Sequence, residues 1–263
     1  MTKKNTAALL CIDIGNTTIA LCLYKNSAMS RPLSILKIPA SPVRTAAEYQ
    51  KIISGFLTQN RIENRVIDTI IGSVVPALTI RLKNAARKLT MREPLIVSNS
   101  LKTDLTFRIP DPSSTGSDRI ANAVAAFHCL KTPGIIVDLG SATTLTVVGK
   151  HGAYLGGAIL PGIETMLKSL QSGTARLKTG TLSPDTNALG SDTDSAISSG
   201  IIIGTAGAVK EIASQISKET GLKFQIVLTG GNAEKIHRHL KVRHSIVPNL
   251  TFEGLRIIYT KNR

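Results

Sequence analysis

Two segments of this chain are written almost alike. Asp13-Ile14-Gly15-Asn16-Thr17-Thr18 follows an apolar run over 7–12, and Asp138-Leu139-Gly140-Ser141-Ala142-Thr143-Thr144 follows one over 134–137. Each leads into a second apolar run, 19–24 and 145–149. An apolar run that ends in an acid, turns on glycine and returns through hydroxyl-bearing residues reads as a hairpin with a polar tip. A carboxylate at such a tip can hold a hydrated cation. Glycine lets backbone N–H groups approach an anion, and Ser or Thr adds donors. Singly, each is also an ordinary hairpin with a surface Asp. Repeated at matching places, they predict a duplicated domain with a nucleotide between the copies.

The remaining pattern fits that duplication. Strands are expected at 7–13, 18–24, 33–38, 66–75 and 94–97, with helices at 45–59 and 78–89. Thr45 and Glu48 form a capping-box signature for the first helix. A Pro-containing connector, 101–115, then leads to a small-residue helix at 120–130. The order repeats in strands 134–138, 143–149 and 153–160 and a helix over 162–175. A polar, Gly-containing stretch over 177–192 and a long helix over 193–219 follow. A strand at 224–229, a helix at 232–240, a strand near 244–247 and a helix from 250 close the chain. Alternating strands and helices with early hairpins, present twice, predict two α/β lobes around a central cleft. This resembles the duplicated ribonuclease-H-like architecture of actin-like ATPases, sugar kinases and heat-shock chaperones. The expected lobes are 1–114 and 115–263.

Composition limits the alternatives. At 263 residues, 42% apolar and 19% charged, the chain can build a sizeable core. No contiguous apolar run approaches the roughly 18 residues that span a bilayer. The start, Met1-Thr2-Lys3-Lys4, precedes an apolar stretch too short for a signal peptide, so a cytoplasmic location is expected. Cys11, Cys22 and Cys129 make an odd count without metal-ligand spacing, and Cys11 and Cys22, in the two apolar arms of the first hairpin, read as core fillers in a reducing compartment. His128, His151, His237, His239 and His244 show no triad-like partner and read as surface or packing residues.

The formal net charge of +15 is the unusual global property. Basic residues gather at Arg81, Lys83, Arg87, Lys88 and Arg92, and again over 235–244. Such a surface attracts polyanions or anionic metabolites. Trp is absent and aromatics are 3%, which argues against a stacking platform for single strands. The sequence reading is a solvated basic face, with neither nucleic acid nor membrane as a partner.

Three further segments suit chemistry. Gly116-Ser117-Asp118-Arg119 joins the connector to a helix start, where free N–H groups lie beside an acid and a cation. An Asp placed there can accept a hydroxyl proton during phosphoryl transfer while Arg holds an anionic group. It also reads as a helix cap with a surface Arg. Gly156-Gly157-Ala158-Ile159-Leu160-Pro161-Gly162 and Thr229-Gly230-Gly231 suit a backbone passing close to a ligand, or tight strand-to-helix turns.

In order along the chain, these segments resemble the type III pantothenate kinases, bacterial enzymes of coenzyme A synthesis. Asp13-Ile14-Gly15-Asn16-Thr17 is similar to the family's D-x-G-N-T, and Ser73-Val74-Val75-Pro76 to its S-V-V-P. Gly116-Ser117-Asp118-Arg119 with Asn122 and Ala125 is similar to G-x-D-R-x-x-N-x-x-A. Val137-Asp138-Leu139-Gly140-Ser141-Ala142-Thr143-Thr144 is similar to V-D-F-G-T-A-T-T. The 156–162, 190–193 and 250–255 segments resemble the family's G-G-x-I-x-P-G, G-x-x-T and closing motifs.

The resemblance implies phosphorylation of pantothenate to 4′-phosphopantothenate by ATP with Mg²⁺ and a monovalent cation, K⁺ or NH₄⁺. It implies Asp118 as general base, with Gly116, Ser117, Asp118 and Arg119 at pantothenate. Asp13, Ile14, Gly15, Asn16, Thr17, Thr18 and Ser141 would meet ATP, with Asp13 also on Mg²⁺ through water or phosphate. Asp138 would hold the monovalent cation. Thr193 would reach pantothenate across a homodimer interface near the site. Three positions depart from the family: Ile109 where it often has Tyr, Ser141 for Thr and Leu139 for Phe. The departure at Ile109 and the basic charge also allow a catalytically weak regulatory or accessory homologue with nucleic-acid affinity. A kinase or phosphatase acting on another small substrate is a third reading.

Overall fold

The computed structural model describes residues 7–62, 67–130, 133–173 and 181–263. The chain forms two compact units, one of Met1–Leu105, Pro110–Ala125 and Thr251–Arg263, the other of Thr106–Ile109 and Ala126–Leu250.

In the first unit, β1 (Ala8–Ile14), β2 (Thr18–Tyr24) and β3 (Ser34–Pro39) form an antiparallel meander. After α1 (Ala46–Gln59), β4 (Ile67–Ser73) adds parallel to β1; α2 (Pro76–Thr90) then leads to β5 (Leu95–Ile96), parallel to β4. The sheet order is β3-β2-β1-β4-β5. Strand alternation sends Leu10, Ile12 and Ile14 to one face, where they pack with Ile53, Phe56 and Leu82 of the two helices. The expected capping box is present at α1. Glu48 N–H donates to Thr45 Oγ1 at 3.2 Å and Thr45 N–H to Glu48 Oε2 at 2.7 Å. Thr45→Ala should therefore lower the unfolding free energy by about 1 kcal/mol. A urea titration reads the change, and an unshifted midpoint would show the cap to be idle.

In the second unit, β6 (Thr106–Phe107) pairs parallel with β9 (Ala153–Pro161) at one sheet edge. The helix α3 (Ser117–Leu130), which belongs to the first unit as far as Ala125, precedes β7 (Gly134–Leu139) and β8 (Ala142–Val148), which continue antiparallel into β9. Then come α4 (Ile163–Gly173), α5 (Thr193–Thr220), β10 (Gln225–Thr229), α6 (Ala233–Ile236) and β11 (His244–Ile246), and α7 (Leu250–Lys261), which from Thr251 onward belongs to the first unit. The sheet order is β11-β10-β7-β8-β9-β6. Without β6, this is the first sheet's order read from its other end: a meander, with two parallel strands added beside its first strand. The sequence repeat is thus a repeat of topology. Asp13 and Asp138 are each the next-to-last residue of the first strand of their sheet's meander.

Several expectations shift. The α2 helix starts at Pro76, whose missing N–H costs nothing at a first helical position; β4 accordingly ends at Ser73. The start of α3 is Ser117 rather than residue 120, because the Gly116 carbonyl already accepts the Ile120 N–H at 3.0 Å. Residues 66 and 174–180, the expected start of one strand and end of one helix, lie outside the described residues. No contiguous apolar run is long, but α5 is long and apolar enough by length and composition to cross a membrane, since Gly, Ala, Ser and Thr separate its large apolar residues. In this fold it is a core helix: Ile197, Ile201, Ile202, Ala206 and Val209 are buried with β7, β8 and β10.

Candidate functional site

In the first unit the Asp13 turn closes tightly. Gly15 N–H donates to the Thr18 carbonyl, and Ala40 N–H to the Thr17 carbonyl, both at 2.9 Å. Asn16, Thr17 and Thr18 are exposed, Ile14 is buried, and Asp13 is partly buried in register with Gly72 of β4. With Ile12 and Ile14 in the core beneath α1 and α2, Asp13 and Gly72 stand on the opposite face.

The N-terminus of α3 sits on that face. A Cβ at Gly72 would lie 3.5 Å from the Ser117 hydroxyl and 3.1 Å from the Leu255 side chain. The Asp118 carboxylate folds back over Gly116, where a Cβ would lie 2.5 Å from its Oδ1 and 3.3 Å from Val74. Val74 N–H donates to the Ile14 carbonyl at 3.1 Å, closing the group. The Asp13 turn and Gly116-Ser117-Asp118 thus meet at one end of one sheet, although the sequence separates them widely. Asp118 and Arg119 are partly exposed; Ser117 is buried, and its hydroxyl has no hydrogen-bond partner among the described residues. A carboxylate in the first turn of a helix is favoured by the helix dipole.

The helix carrying Asp118 is held from behind by α7. Thr251 Oγ1 donates to Asn122 Oδ1 at 2.9 Å, one turn beyond Asp118. Gly254 packs so closely that a Cβ would lie 1.9 Å from the Ala121 carbonyl oxygen. Further along α7, Arg256 grips Glu253 through two bonds of 2.9 and 2.6 Å and donates to the Ser27 carbonyl. Sequence reasoning noted the closing segment but not what it touches.

In the second unit Asp138 is partly buried and aligned with Thr229 of β10. Two segments converge on its turn, around Gly162 and around Gly230. Gly140 N–H bonds back to the Ala142 carbonyl at 3.0 Å, and the Ser141 carbonyl accepts from Gly162 N–H at 3.1 Å and Thr165 Oγ1 at 2.7 Å. Asn232 N–H donates to the Leu139 carbonyl at 3.0 Å. Gly230, at φ +89°, passes so near that a Cβ would lie 2.5 Å from Asp138 Oδ1 and 2.7 Å from Leu139 backbone. A Cβ at Gly162 would meet the Gly140 carbonyl oxygen at 2.3 Å, whereas one at Gly231 would meet nothing within 4 Å. The backbone is therefore tight against the carboxylate on one side and open at Gly231. Ser141 is exposed at the tip. Sequence reasoning named these glycines; it missed Thr165, which ties the start of α4 to the turn.

Thr193 is the exposed first residue of α5. Beside it, a hollow of about 340 Å³ is lined by hydroxyls and acids that include Ser183, Asp185, Asp192, Asp194 and Ser198. Asp192 caps α5, and the Ser195 N–H, then its hydroxyl, hold the Asp192 carboxyl below the usual carboxylate range. Because that shift favours the ionised form in the folded chain, the cap's contribution is present above the usual Asp range. It is lost as the pH falls through the depressed value.

The cysteines behave as expected of core fillers: Cys11 and Cys22 face each other across β1 and β2, free and buried. Burial pushes the Cys22 thiol up to about 12 and raises Cys11 as well. Such thiols are inert as nucleophiles at neutral pH. Cys129 is exposed and forms no disulfide among the described residues. Among the described residues, no three His, Cys, Asp or Glu side chains gather as a metal site. Magnesium carried in by phosphates needs only one or two carboxylates, which suits single acids at turns such as Asp13.

A family model for type III pantothenate kinases matches residues 9–215. Among solved structures, a Campylobacter jejuni protein assigned to the Baf family of transcriptional activators aligns at 22% identity over 96% of this chain and 98% of its own, with a TM-score of 0.62. The ethanolamine utilization protein EutJ of Carboxydothermus hydrogenoformans aligns at 16% identity over 95% and 89%, TM-score 0.55. The inorganic polyphosphate/ATP-glucomannokinase of Arthrobacter sp. strain KM aligns at 13% over 97% and 99%, TM-score 0.51. At such identities the likeness is one of fold, and it agrees with the duplicated ribonuclease-H-like α/β architecture expected from the sequence.

Proposed function

The chain belongs to the type III pantothenate kinase family, and on that premise we propose that it phosphorylates pantothenate with ATP, yielding 4′-phosphopantothenate and ADP. The observation that carries this reading is the Asp118 carboxylate, folded over Gly116 at a helix start and sharing a sheet end with the Asp13 turn. Phosphoryl transfer asks for little covalent chemistry from a protein. It needs a proton acceptor for the attacking hydroxyl and donors for the phosphates, held in place.

Asp118 accepts the hydroxyl proton. Gly116 and Arg119 hold pantothenate, with Arg119 the cation for its carboxylate; Ser117, buried behind them, supports the turn. The Asp13–Thr18 turn offers backbone N–H groups and hydroxyls to the ATP phosphates, and Asp13 is the carboxylate for a magnesium ion. Magnesium, when bound, neutralises charge that develops on the phosphate oxygens. Ser141 serves ATP, and Asp138 holds a monovalent cation. Thr193 serves the pantothenate site of a second copy in a homodimer, and the protein works in the cytoplasm.

A coupled ADP-release assay tests the reading. ADP release should require pantothenate and Mg²⁺ and rise on adding K⁺ or NH₄⁺ to a Na⁺-free buffer. Release that ignores pantothenate but follows another hydroxyl-bearing metabolite would assign a different substrate. No release with any acceptor would favour the second reading, an accessory homologue without turnover, for which the charge of +15 is the motive.

A further inference from the structure

The outer face of α2 has a makeup that neither core packing nor the kinase reaction uses. Leu78, Leu82, Ala85 and Ala86 are buried. On the other side Ile80, Arg81, Asn84, Arg87, Lys88 and Met91 are exposed, at the three- and four-residue spacing of a single helix face. The helix contains no acid. Glu93 is shared by Lys83 at 2.6 Å and Arg87 at 3.8 Å, and among the described residues no ion pair neutralises Arg81 or Lys88. Arg81 Nη1 also donates to the Arg44 carbonyl at 3.0 Å, a backbone contact that leaves its charge unneutralised. Arg87 and Lys88 complement the helix dipole in the last turn. That account does not reach Arg81 in mid-helix, nor Ile80 and Met91, which stand 64% and 86% exposed.

We propose that this face of α2 docks on the phosphate backbone of duplex nucleic acid, without reading its sequence. Arg81 and Lys88 are two turns apart, roughly 10 Å along the helix axis, with Arg87 beside them, so one face can meet several phosphates. A chain with a net charge of +15 gains by releasing the counterions condensed on a duplex. Asn84 adds a neutral donor for phosphate oxygens. Single strands are disfavoured because the face has no aromatic side chain on which bases could stack. A bilayer surface is disfavoured because Ile80 and Met91 flank the cations at opposite ends instead of forming a continuous apolar stripe.

The test is fluorescence anisotropy of the full chain with a fluorescein-labelled 20-base-pair DNA duplex of mixed sequence, between 50 and 200 mM NaCl. Binding should weaken steeply with salt. The triple variant Arg81→Glu/Arg87→Glu/Lys88→Glu should bind at least tenfold more weakly, with its log K against log salt slope shallower by about 2–3. The pair Lys241→Glu/Arg243→Glu, exposed cations of the second unit, should bind as wild type does. Should the triple variant fail to fold by circular dichroism, Arg81→Glu and Lys88→Glu alone should each weaken binding about threefold and flatten the slope by about 1. The proposal is overturned by salt-insensitive or absent binding. Equal losses in the second-unit pair would also overturn it, as would preference for a single strand of the same length or for phosphatidylserine vesicles.

Discussion

Asp118→Asn should leave the chain folded and lower its kcat for pantothenate phosphorylation by about 10²–10⁴-fold, the usual share of a general base. Asparagine has nearly the shape of the native side chain. It can lie over Gly116, where the native Oδ1 already occupies the space a Cβ would need. What it lacks is an oxygen that accepts a proton at neutral pH. The loss should therefore fall on kcat, with the KM for ATP little changed, because the Asp13 turn is untouched. The melting temperature should stay close to wild type, because Asn keeps the side chain's shape and gives up only a modest helix-dipole interaction. Steady-state kinetics with the ADP-release assay and a thermal melt on the same preparation decide the matter. Turnover near the wild-type rate would remove Asp118 from the base role while leaving ATP binding by the hairpins open.

The group around Asp118 was only half legible in the sequence. The acidic turns at Asp13 and Asp138 could be read because each follows one continuous apolar run and precedes another, a local pattern. Gly116-Ser117-Asp118-Arg119 could be read as a helix start, but Ser and Asp favour caps, so the helix was expected a turn later than it begins. What joins the motifs is register. Asp13 lies opposite Gly72, and Gly72 makes room for Ser117, pairings across about 60 and 45 residues of chain. No window of the sequence contains them. β6 was invisible for the same reason: two residues long, it exists only by pairing with β9. The helix expected over 232–240 contracts to Ala233–Ile236, because His239 and Leu240 N–H groups turn back to the third residue before them. Periodicity sees hydrophobic spacing but not that change of hydrogen-bond step. In the second unit, Gly140, Gly162 and Gly230 were legible one by one as flexible points; their convergence on the Asp138 turn was not.

Gly254→Ala should be the most damaging single-methyl change in the first unit. The added Cβ would stand 1.9 Å from the Ala121 carbonyl oxygen and 2.4 Å from its carbon. Both are backbone atoms of α3, so no rotamer change can relieve the clash and one helix must move. Overpacking of a well-filled contact costs about 1–3 kcal/mol, and the upper end applies where backbone has to shift. Against a net stability of roughly 5–15 kcal/mol for a typical domain, that is a large fraction. The displacement also reaches function, because Thr251 holds Asn122 one turn beyond Asp118. A variant that still folds should lose kcat along with stability. Gly200→Ala is the matched control, since a Cβ at Gly200 in α5 meets nothing within 4 Å. There alanine's better helix propensity should make the change neutral or stabilising by up to about 1 kcal/mol. Guanidinium unfolding of the two variants side by side separates a close helix crossing from a general intolerance of alanine. If Gly254→Ala unfolds at the wild-type midpoint, α7 does not press on α3, and the hold on Asp118 must come from the strand side, through Gly72 and Ser117.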